Sequence, residues 1–229
     1  GRVDSLAMIL LHWAQVPATL PAHVTAAWLE LLPANRKAAL ASELKAGRGL
    51  ESLTGFALLT ACAQYLPLPP LSLLGESRNE KPRWPDGPDF SIAHAAGHAI
   101  CAVAPAGIAI GVDLESAAAV NPESLRLVTS AAERARIDAG GVTATALWTA
   151  KEAVLKAAGT GILAAPEVEI EGAVGHHAGR AYHLKRLDLN RNLVITIATT
   201  APVPEIRIVQ AAASTLFDVP PIGRRRSSA

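Results

Sequence analysis

Two short segments of the chain combine charged side chains at spacings that could support chemistry. The first is GVDLE, Gly111 to Glu115, which follows an apolar run. Alternate side chains of a strand share a face, so Asp113 and Glu115 would point the same way. Two such carboxylates repel each other and favour a cation, and oxygen-only ligands are typical of Mg²⁺ sites. Because the D-x-E spacing is common, a solvated strand end with two surface acids is the other interpretation.

The second segment is LWTAKEAVLKAAGTG, Leu147 to Gly161, whose pattern predicts one helix. Glu152 and Lys156 are four residues apart, on one face, in the favourable order for an ion pair. Trp148 lies on the same face, and because a bulky tryptophan is usually buried, we expect Glu152 at the margin of a core and not in bulk solvent. The alternative is an ordinary surface ion pair that contributes little to stability.

Three further basic residues could bind phosphate oxygens. His94 lies in FSIAHAAGHAI, where we expect it in a turn between two strands; Lys81 lies in NEKPRW and Arg48 in AGRGL. A histidine, a lysine and an arginine can all donate hydrogen bonds to phosphate. Taken singly, each could equally be a solvated surface residue.

Composition limits the class of protein. The 229 residues are 50% hydrophobic, enough for one large domain or two small ones, and the net charge is +1. This charge balance gives no positive electrostatic field that would favour the binding of nucleic acid. Cys62 and Cys101 each lie in an apolar run and indicate core residues in a reducing compartment. With no convincing signal peptide or membrane span, we expect a soluble, cytoplasmic protein that ends in a mobile basic tail from about residue 220.

The hydrophobic pattern alternates helices and strands twice, which predicts two α+β halves, residues 1–105 and 106–229. The predicted helices are Val24–Leu32, Asn35–Lys45 with Asn35 as its cap, Leu50–Tyr65, Pro122–Val128, a short helix that begins at the capping box of Ser130, and Thr143–Ala158. The predicted strands are Ile9–Ala14, Phe90–Ala93, Ala99–Ala104, Ile108–Glu115, Val168–Glu171, Ala181–Asp188, Leu193–Thr199 and Ile206–Gln210. The tandem His176-His177 falls in a predicted loop without a metal role.

In order along the chain, four of these segments resemble the 4′-phosphopantetheinyl transferases. They are similar to the larger, monomeric type that activates peptide synthetases such as surfactin synthetase. Either GVDLE or KEAVLK alone would be a weak signal, but both, at this separation and with FSIAH upstream, are specific. The matching stretches are NEKPRW, FSIAHAAGHAICAVA, GIAIGVDLE and LWTAKEAVLKAAGTGI, which cover about Asn79 to Ile162.

The resemblance implies a fold and an activity. The fold would be a pseudo-twofold pair of similar α+β lobes, each a small, mostly antiparallel sheet packed with helices, with the active site in the cleft between them. The reaction would move the phosphopantetheine arm of coenzyme A to a serine of an acyl or peptidyl carrier protein, with Mg²⁺, and release 3′,5′-ADP. The resemblance assigns roles to seven residues: Asp113, Glu115 and Glu152 as metal ligands, Glu152 and Lys156 in catalysis, and Arg48, Lys81, His94, Asp113 and Lys156 as coenzyme A contacts.

Two alternatives stay open at this point. One is another Mg²⁺-dependent phosphotransferase or nucleotide hydrolase that uses the same acids with a water nucleophile. The other is an inactive coenzyme A- or carrier-binding module, supported only by Ala93 and Ala95, which flank His94 where the family commonly has serines; the complete set of Asp113, Glu115, Glu152 and Lys156 argues against it. Glu80 is a further departure, at a position where the family usually has a glycine. Glu152 is the candidate general base and Glu115 its rival.

The carrier partner would be a small acidic domain that binds a surface with apolar and basic side chains. The region Val120 to Ile137 has this composition, since Arg126, Arg134 and Arg136 lie among leucines and valines. An ordinary pair of amphipathic helices is the alternative interpretation. The sequence does not select among fatty-acid, polyketide, peptide and siderophore carriers.

Overall fold

The structure, a computed structural model, describes residues 8–75, 81–118, 120–202 and 205–218. The expected basic tail and the departure at Glu80 lie outside these residues. The helices are α1 Ala22–Leu29, α2 Ala34–Lys45, α3 Leu50–Cys62, α4 Pro122–Leu125, α5 Ala131–Asp138, α6 Ala144–Ala158 and α7 Ala213–Leu216. The strands are β1 Met8–Gln15, β2 Phe90–Ala95, β3 His98–Val103, β4 Ile110–Ser116, β5 Glu169–Glu171, β6 Val174–His177, β7 Arg180–Leu187, β8 Leu193–Thr199 and β9 Glu205–Gln210. Short 3₁₀ helices span Leu71–Leu73, Arg126–Val128 and Ile162–Glu167.

The first sheet has the order β2-β3-β1-β9 and is antiparallel except where β9 runs parallel to β1. Its central strand β1 is apolar almost throughout because it is buried on both faces. Leu10 and Ala14 face the core under α1, α2 and α3, whereas Ile9 and Leu11 face the second sheet.

The second sheet is antiparallel throughout, with the order β4-β8-β7-β6-β5. Helix α6 packs across one of its faces and forms a third core with Leu147, Val154 and Tyr182. The other face packs on the first sheet through residues such as Val112 and Ile197. The layers therefore run helices, sheet, sheet, helix.

The two sheets also meet along their edge strands β2 and β4. Ser91 accepts a hydrogen bond from the backbone N–H of Val112 (3.0 Å), and Asp89 accepts one from that of Ile110 (2.8 Å). Side chains of the first half thus satisfy backbone groups that an edge strand would otherwise leave unpaired. These contacts fix the position of β4 relative to β2, and therefore of Asp113 relative to His94.

The α+β class and the two mostly antiparallel sheets packed with helices are confirmed. The capping box at Ser130 and the helix stop at Gly159, which has φ +74°, are also as predicted. Three details differ from expectation. Asn35 is not the cap of α2, because Pro33 occupies that position and makes no side-chain cap bond. The loop at His176-His177 is strand β6, and His94 lies within strand β2 rather than in the turn.

The last strand crosses the boundary placed near residue 105. Strand β9 comes from the C-terminal half of the chain, yet it pairs with β1 over six residues, from Met8↔Glu205 to Trp13↔Gln210. Parallel pairing needs a long connection, and here the chain between β1 and β9 contains α1 to α3, the strands β2 and β3 and the whole second sheet. Within the described residues, no helix is long and apolar enough to cross a bilayer.

Candidate active site

Strand β4 presents every second residue to helix α6. Asp113 forms a 2.6 Å ion pair with Lys156 of that helix, while Val112 and Leu114 point into the core between the sheets. Gly111 shares the face of Asp113, and a Cβ there would lie 1.9 Å from the carbonyl oxygen of Ala153. A side chain at position 111 would push the helix away, so this glycine permits the close approach that lets Lys156 reach Asp113.

Helix α6 has well-defined ends. Thr143 caps its first turn by accepting a hydrogen bond from the N–H of Ala146 (3.2 Å), and Gly159 ends it in the left-handed conformation. Between these ends the helix is buried on most of its surface, and Trp148, Glu152 and Lys156 are only partly exposed. Trp148 packs against the core under α6, and the expected position of Glu152 at the margin of that core is confirmed.

The acidic side chains of the site hold protons more tightly than usual. Burial raises the pKa of Asp113, which is only 6% exposed, although Lys156 acts against this. Burial and the neighbouring Asp113 raise the pKa of Glu115, with the charge of Lys156 and a hydrogen bond from Trp148 opposing the shift. The pKa of Glu152 is also raised, by burial first, and by the charges of Asp113 and Glu115 against that of Lys156.

Among the described residues, no three His, Cys, Asp or Glu side chains lie close enough together to enclose a metal ion. Asp113 and Glu115 nevertheless lie on one strand, and Glu152 lies one helical turn before Lys156, which forms the 2.6 Å ion pair with Asp113, so the three carboxylates share one neighbourhood. Oδ2 of Asp113 is buried and has no hydrogen-bond partner in the described protein. An unpartnered buried carboxylate oxygen beside two further acids fits a hard divalent cation such as Mg²⁺.

His94 reaches the site from the first sheet. Its Nε2 lies 3.3 Å from Oγ of Ser52, and its Nδ1 lies 3.4 Å from a carboxylate oxygen of Glu51. Both partners belong to the first turn of α3, which therefore orients the imidazole. His94 lines one cavity together with Lys156, the ion-pair partner of Asp113, so the histidine lies on the same side of the protein as the acids.

A cavity of about 600 Å³ opens beside this cluster, between α2, α3, β2 and α6. This volume lies within the range of small-molecule sites. His94 and Lys156 line the cavity, and so do Arg36 and Ser52, which sequence reasoning did not select. Arg36 donates to the carbonyl of Gly75 (2.7 Å), and burial lowers its pKa. The only sequence signal for it was a basic pair at the start of a helix.

Lys81 and Arg48 lie outside the lining of this cavity. Lys81 is buried and donates to Asp89 and to the carbonyl of Ile110, both at 2.6 Å, so its present contacts join the two sheets. Burial lowers its pKa to about 8, although Asp89 opposes the shift. Arg48 is exposed in the turn between α2 and α3, where its backbone N–H bonds to Glu43. Their roles toward coenzyme A stay predictions.

Lys151 is the neighbour of Glu152 in sequence but not in the site. It is fully buried on the opposite side of α6 and forms a 2.9 Å ion pair with Glu133. It also donates to the carbonyls of Ala165 and Val168. One helix therefore carries one lysine for packing and another at the candidate site.

Comparison with known families agrees with this arrangement. A comparison with curated proteins finds no match. Residues 109–198 match the family model described as the 4′-phosphopantetheinyl transferase superfamily, and the matched segment contains Asp113, Glu115, Glu152 and Lys156. The match supports the family that the sequence motifs resemble.

Proposed function

We propose that this protein is a 4′-phosphopantetheinyl transferase of the larger, monomeric, two-lobed type. It would transfer the phosphopantetheine arm of coenzyme A to a serine of an acyl or peptidyl carrier protein. The observation that carries the proposal is the convergence of Asp113, Glu115, Glu152 and Lys156 beside a cavity that His94 also lines. The family match over the same acids supports it.

Mg²⁺ would be held by Asp113, Glu115 and Glu152. When bound, it would neutralise charge on the pyrophosphate of coenzyme A, which phosphoryl transfer mainly requires. The buried, unpartnered Oδ2 of Asp113 and the raised pKa values of all three acids support this assignment. A bound cation would give that oxygen a partner and would stabilise the charged form of the three carboxylates.

The chain's own residues would act on both sides of the transferred phosphorus. The carrier serine loses its proton to Glu152 while its oxygen forms a bond to the phosphorus that bears the pantetheine arm. The bond from that phosphorus to the oxygen of 3′,5′-ADP breaks. Lys156 would stabilise the charge that develops on the leaving phosphate, and His94 would donate a hydrogen bond to a phosphate oxygen.

Glu152 is a better candidate than Glu115 for the general base. Trp148 forms a hydrogen bond with Glu115. Glu152 lies one helical turn before Lys156, which lines the cavity where a substrate phosphate would lie.

The two alanines beside His94 differ in their relation to the cavity. Both side chains pack in the core between the sheets, on the strand face opposite His94, but Ala93 also lines the cavity that His94 lines. A hydroxyl at position 93 would therefore border the cavity, whereas Ala95 lies outside its lining. The absence of both hydroxyls leaves the contacts of His94 with Ser52 and Glu51 unchanged.

The carrier would dock on the region 120–137, and the structure narrows which residues are available. Leu127 is 84% exposed, and Arg126 is exposed with an ion pair to Glu123 (3.4 Å). Arg134 donates to the carbonyl of Thr129 and Arg136 to that of Ile170, so both hold local structure. Arg126 and Leu127 are therefore the proposed carrier contacts.

Intact-protein mass spectrometry tests the proposal. An apo carrier protein incubated with this protein, coenzyme A and Mg²⁺ should gain the mass of phosphopantetheine, and EDTA should prevent the gain. A carrier with its acceptor serine replaced by alanine is the control. No gain with any carrier class would contradict the proposal.

A further inference from the structure

A second cavity lies beside α6, away from the candidate active site. Its volume is about 310 Å³, and it is lined by the loop before α6, by α6 itself, by the turn between β5 and β6 and by strands β7 and β8. It shares no lining residue with the cavity of His94 and Lys156. Thr196 of β8 lies between Asp113 of β4 and Arg186 of β7, so two strand spacings, roughly 10 Å, separate Arg186 from Asp113. The two cavities are therefore separate.

Arg186 interrupts the apolar pattern of strand β7. On the face of this strand that packs against α6, Tyr182 and Leu184 belong to the third core, and alternation places Arg186 next on the same face. A position of this kind usually carries an apolar side chain, because the face is directed toward a core. Residues that break the pattern of their element are typical of functional sites. Arg186 is therefore a candidate for binding a ligand.

The positive charge of Arg186 has no partner in the described part of the chain, where its side chain forms neither a hydrogen bond nor an ion pair. A second guanidinium, that of Arg136, lines the same cavity and donates to the carbonyl of Ile170, which leaves further N–H donors available. Within the described residues, no carboxylate lines the cavity. Glu133, which shares a helix with Arg136, is bound to Lys151. The described protein thus presents two cations to one cavity and supplies no anion there.

The groups that line this cavity can be reached from solvent. Arg186 is exposed, and Arg136 is half-buried. The apolar side chains of Val142 and Leu184 are also half-buried, and both line the cavity. A ligand can therefore contact the guanidinium groups and an apolar wall at the same time.

The lining defines the class of ligand. Guanidinium groups bind carboxylates through paired, charge-assisted hydrogen bonds. The apolar walls favour a ligand with a hydrocarbon body, because burial of apolar surface stabilises the complex. An inorganic anion would leave Val142 and Leu184 in contact with water. The volume of the cavity lies at the lower end of the range for small-molecule sites, so the ligand is small.

We propose that this cavity is a binding site for a small organic carboxylate with a compact apolar body. The carboxylate accepts hydrogen bonds from the guanidinium of Arg186 and from the remaining N–H groups of Arg136, and the hydrocarbon body packs against Val142 and Leu184. The site does not depend on the proposed transferase activity, because none of its residues belongs to the candidate active site.

Titration of benzoate into ¹⁵N-labelled protein, followed by NMR, tests the proposal. We expect saturable shifts of the backbone amide signals of Val142, Ala173 and Arg186, which line the cavity. The amide signals of Ser52 and His94, at the candidate active site, are the internal control and should not move. The same shifts should appear when coenzyme A is present.

Three matched ligands separate the effect of charge from that of shape. Benzamide keeps the ring and removes the charge, benzylamine reverses the charge, and inorganic phosphate keeps a negative charge without a ring. Each should bind more weakly than benzoate. For benzamide the affinity should fall by about tenfold or more, which corresponds to the loss of one charge-assisted hydrogen bond.

Two neighbouring positions of β7 supply a matched pair of variants. Arg186→Gln should weaken benzoate binding by about tenfold or more, because it removes the proposed ion pair. Lys185→Gln removes the same charge from an exposed position on the other face of β7, outside the cavity lining, and should leave the affinity unchanged. Ala173→Trp, which fills the cavity from an exposed position, should abolish binding.

Four outcomes would overturn the proposal. They are the absence of saturable shifts at the cavity up to the solubility limit of benzoate, binding of any of the three other ligands as tight as that of benzoate, equal losses of affinity in Arg186→Gln and Lys185→Gln, and an affinity that Ala173→Trp leaves unchanged. If Ala173→Trp fails to fold, the four ligands and the two variants of β7 still decide the question.

Discussion

Lys151 and Lys156 lie on one helix, five residues apart, and their surroundings differ in a way that separates stability from function. Lys151 is buried against Glu133, whose carboxylate also accepts bonds from the N–H groups of Ser130 and Ile170. Every charge in that network has a partner. Lys156 faces Asp113, which keeps one buried oxygen without a partner. A buried network in which every polar atom has a partner stabilises the fold, whereas a buried oxygen without a partner is typical of a site that binds a ligand.

The largest effect should come from Glu152→Gln. We expect kcat for phosphopantetheine transfer to fall by about 10²–10⁴-fold, because the substitution removes the proposed base and a metal ligand. The thermal unfolding midpoint should stay the same or rise, because the substitution removes a carboxylate that the charges of Asp113 and Glu115 repel. Glu167→Gln, at an exposed position in the neighbouring 3₁₀ helix, should leave the rate unchanged. A Glu152→Gln variant with the wild-type rate would remove this residue from the mechanism.

Lys151→Met should show the opposite pattern. Removal of one partner from a buried ion pair leaves Glu133 uncompensated and costs about 3–5 kcal/mol of unfolding free energy. Urea unfolding measures this loss. At a temperature where the variant is folded, its kcat should lie within a few-fold of wild type. A Lys151→Met variant with the wild-type unfolding free energy but a much lower kcat would contradict the assignment of Lys151 to stability and Lys156 to function.

Gly111→Ala should damage the site and leave the Lys151 network intact. The new Cβ would overlap the backbone of α6 at Ala153, and overpacking of this kind costs about 1–3 kcal/mol. Displacement of the helix would lengthen the contact between Lys156 and Asp113, so activity should fall together with stability. Measurement of both quantities in Gly161→Ala, where φ is −80° and a Cβ meets nothing within 4 Å, controls for the loss of a glycine.

The pH dependence of stability should reveal the unsatisfied acids. Since the folded-state pKa values of Asp113, Glu115 and Glu152 are raised, the folded protein keeps protons that the unfolded chain releases. Stability from these groups is thus present below the usual carboxyl pKa and is lost as pH rises through the raised values. With EDTA present, Glu152→Gln should make this decline shallower, as thermal unfolding across pH would show. Mg²⁺ should restore stability at neutral pH.

The smallest effect should come from Arg126→Glu. Reversal of one exposed charge at an interface rim should raise KM for an acidic carrier a few-fold, with kcat unchanged. Arg191→Glu, in the exposed turn between β7 and β8, is the matched control. An unchanged KM would indicate that the carrier docks elsewhere.

The sequence predicted what depends on local pattern. Alternation placed Asp113 and Glu115 on one face, and helical spacing placed Glu152 with Lys156. The pairing of β9 with β1 was not predictable, because nothing local to Glu205–Gln210 specifies a partner almost 200 residues away. The role of Gly111 was also missed, since a close backbone approach is a property of packing. Arg36 and Ser52 join the site only because α2 and α3 fold against β2.

The release of 3′,5′-ADP, measured with and without an apo carrier, tests the central claim most directly. The account predicts that release requires Mg²⁺ and carrier and equals the phosphopantetheine gained by the carrier serine. Release without a carrier would make the protein a hydrolase. Coenzyme A binding without release would make it a binding module, and either result would contradict the account.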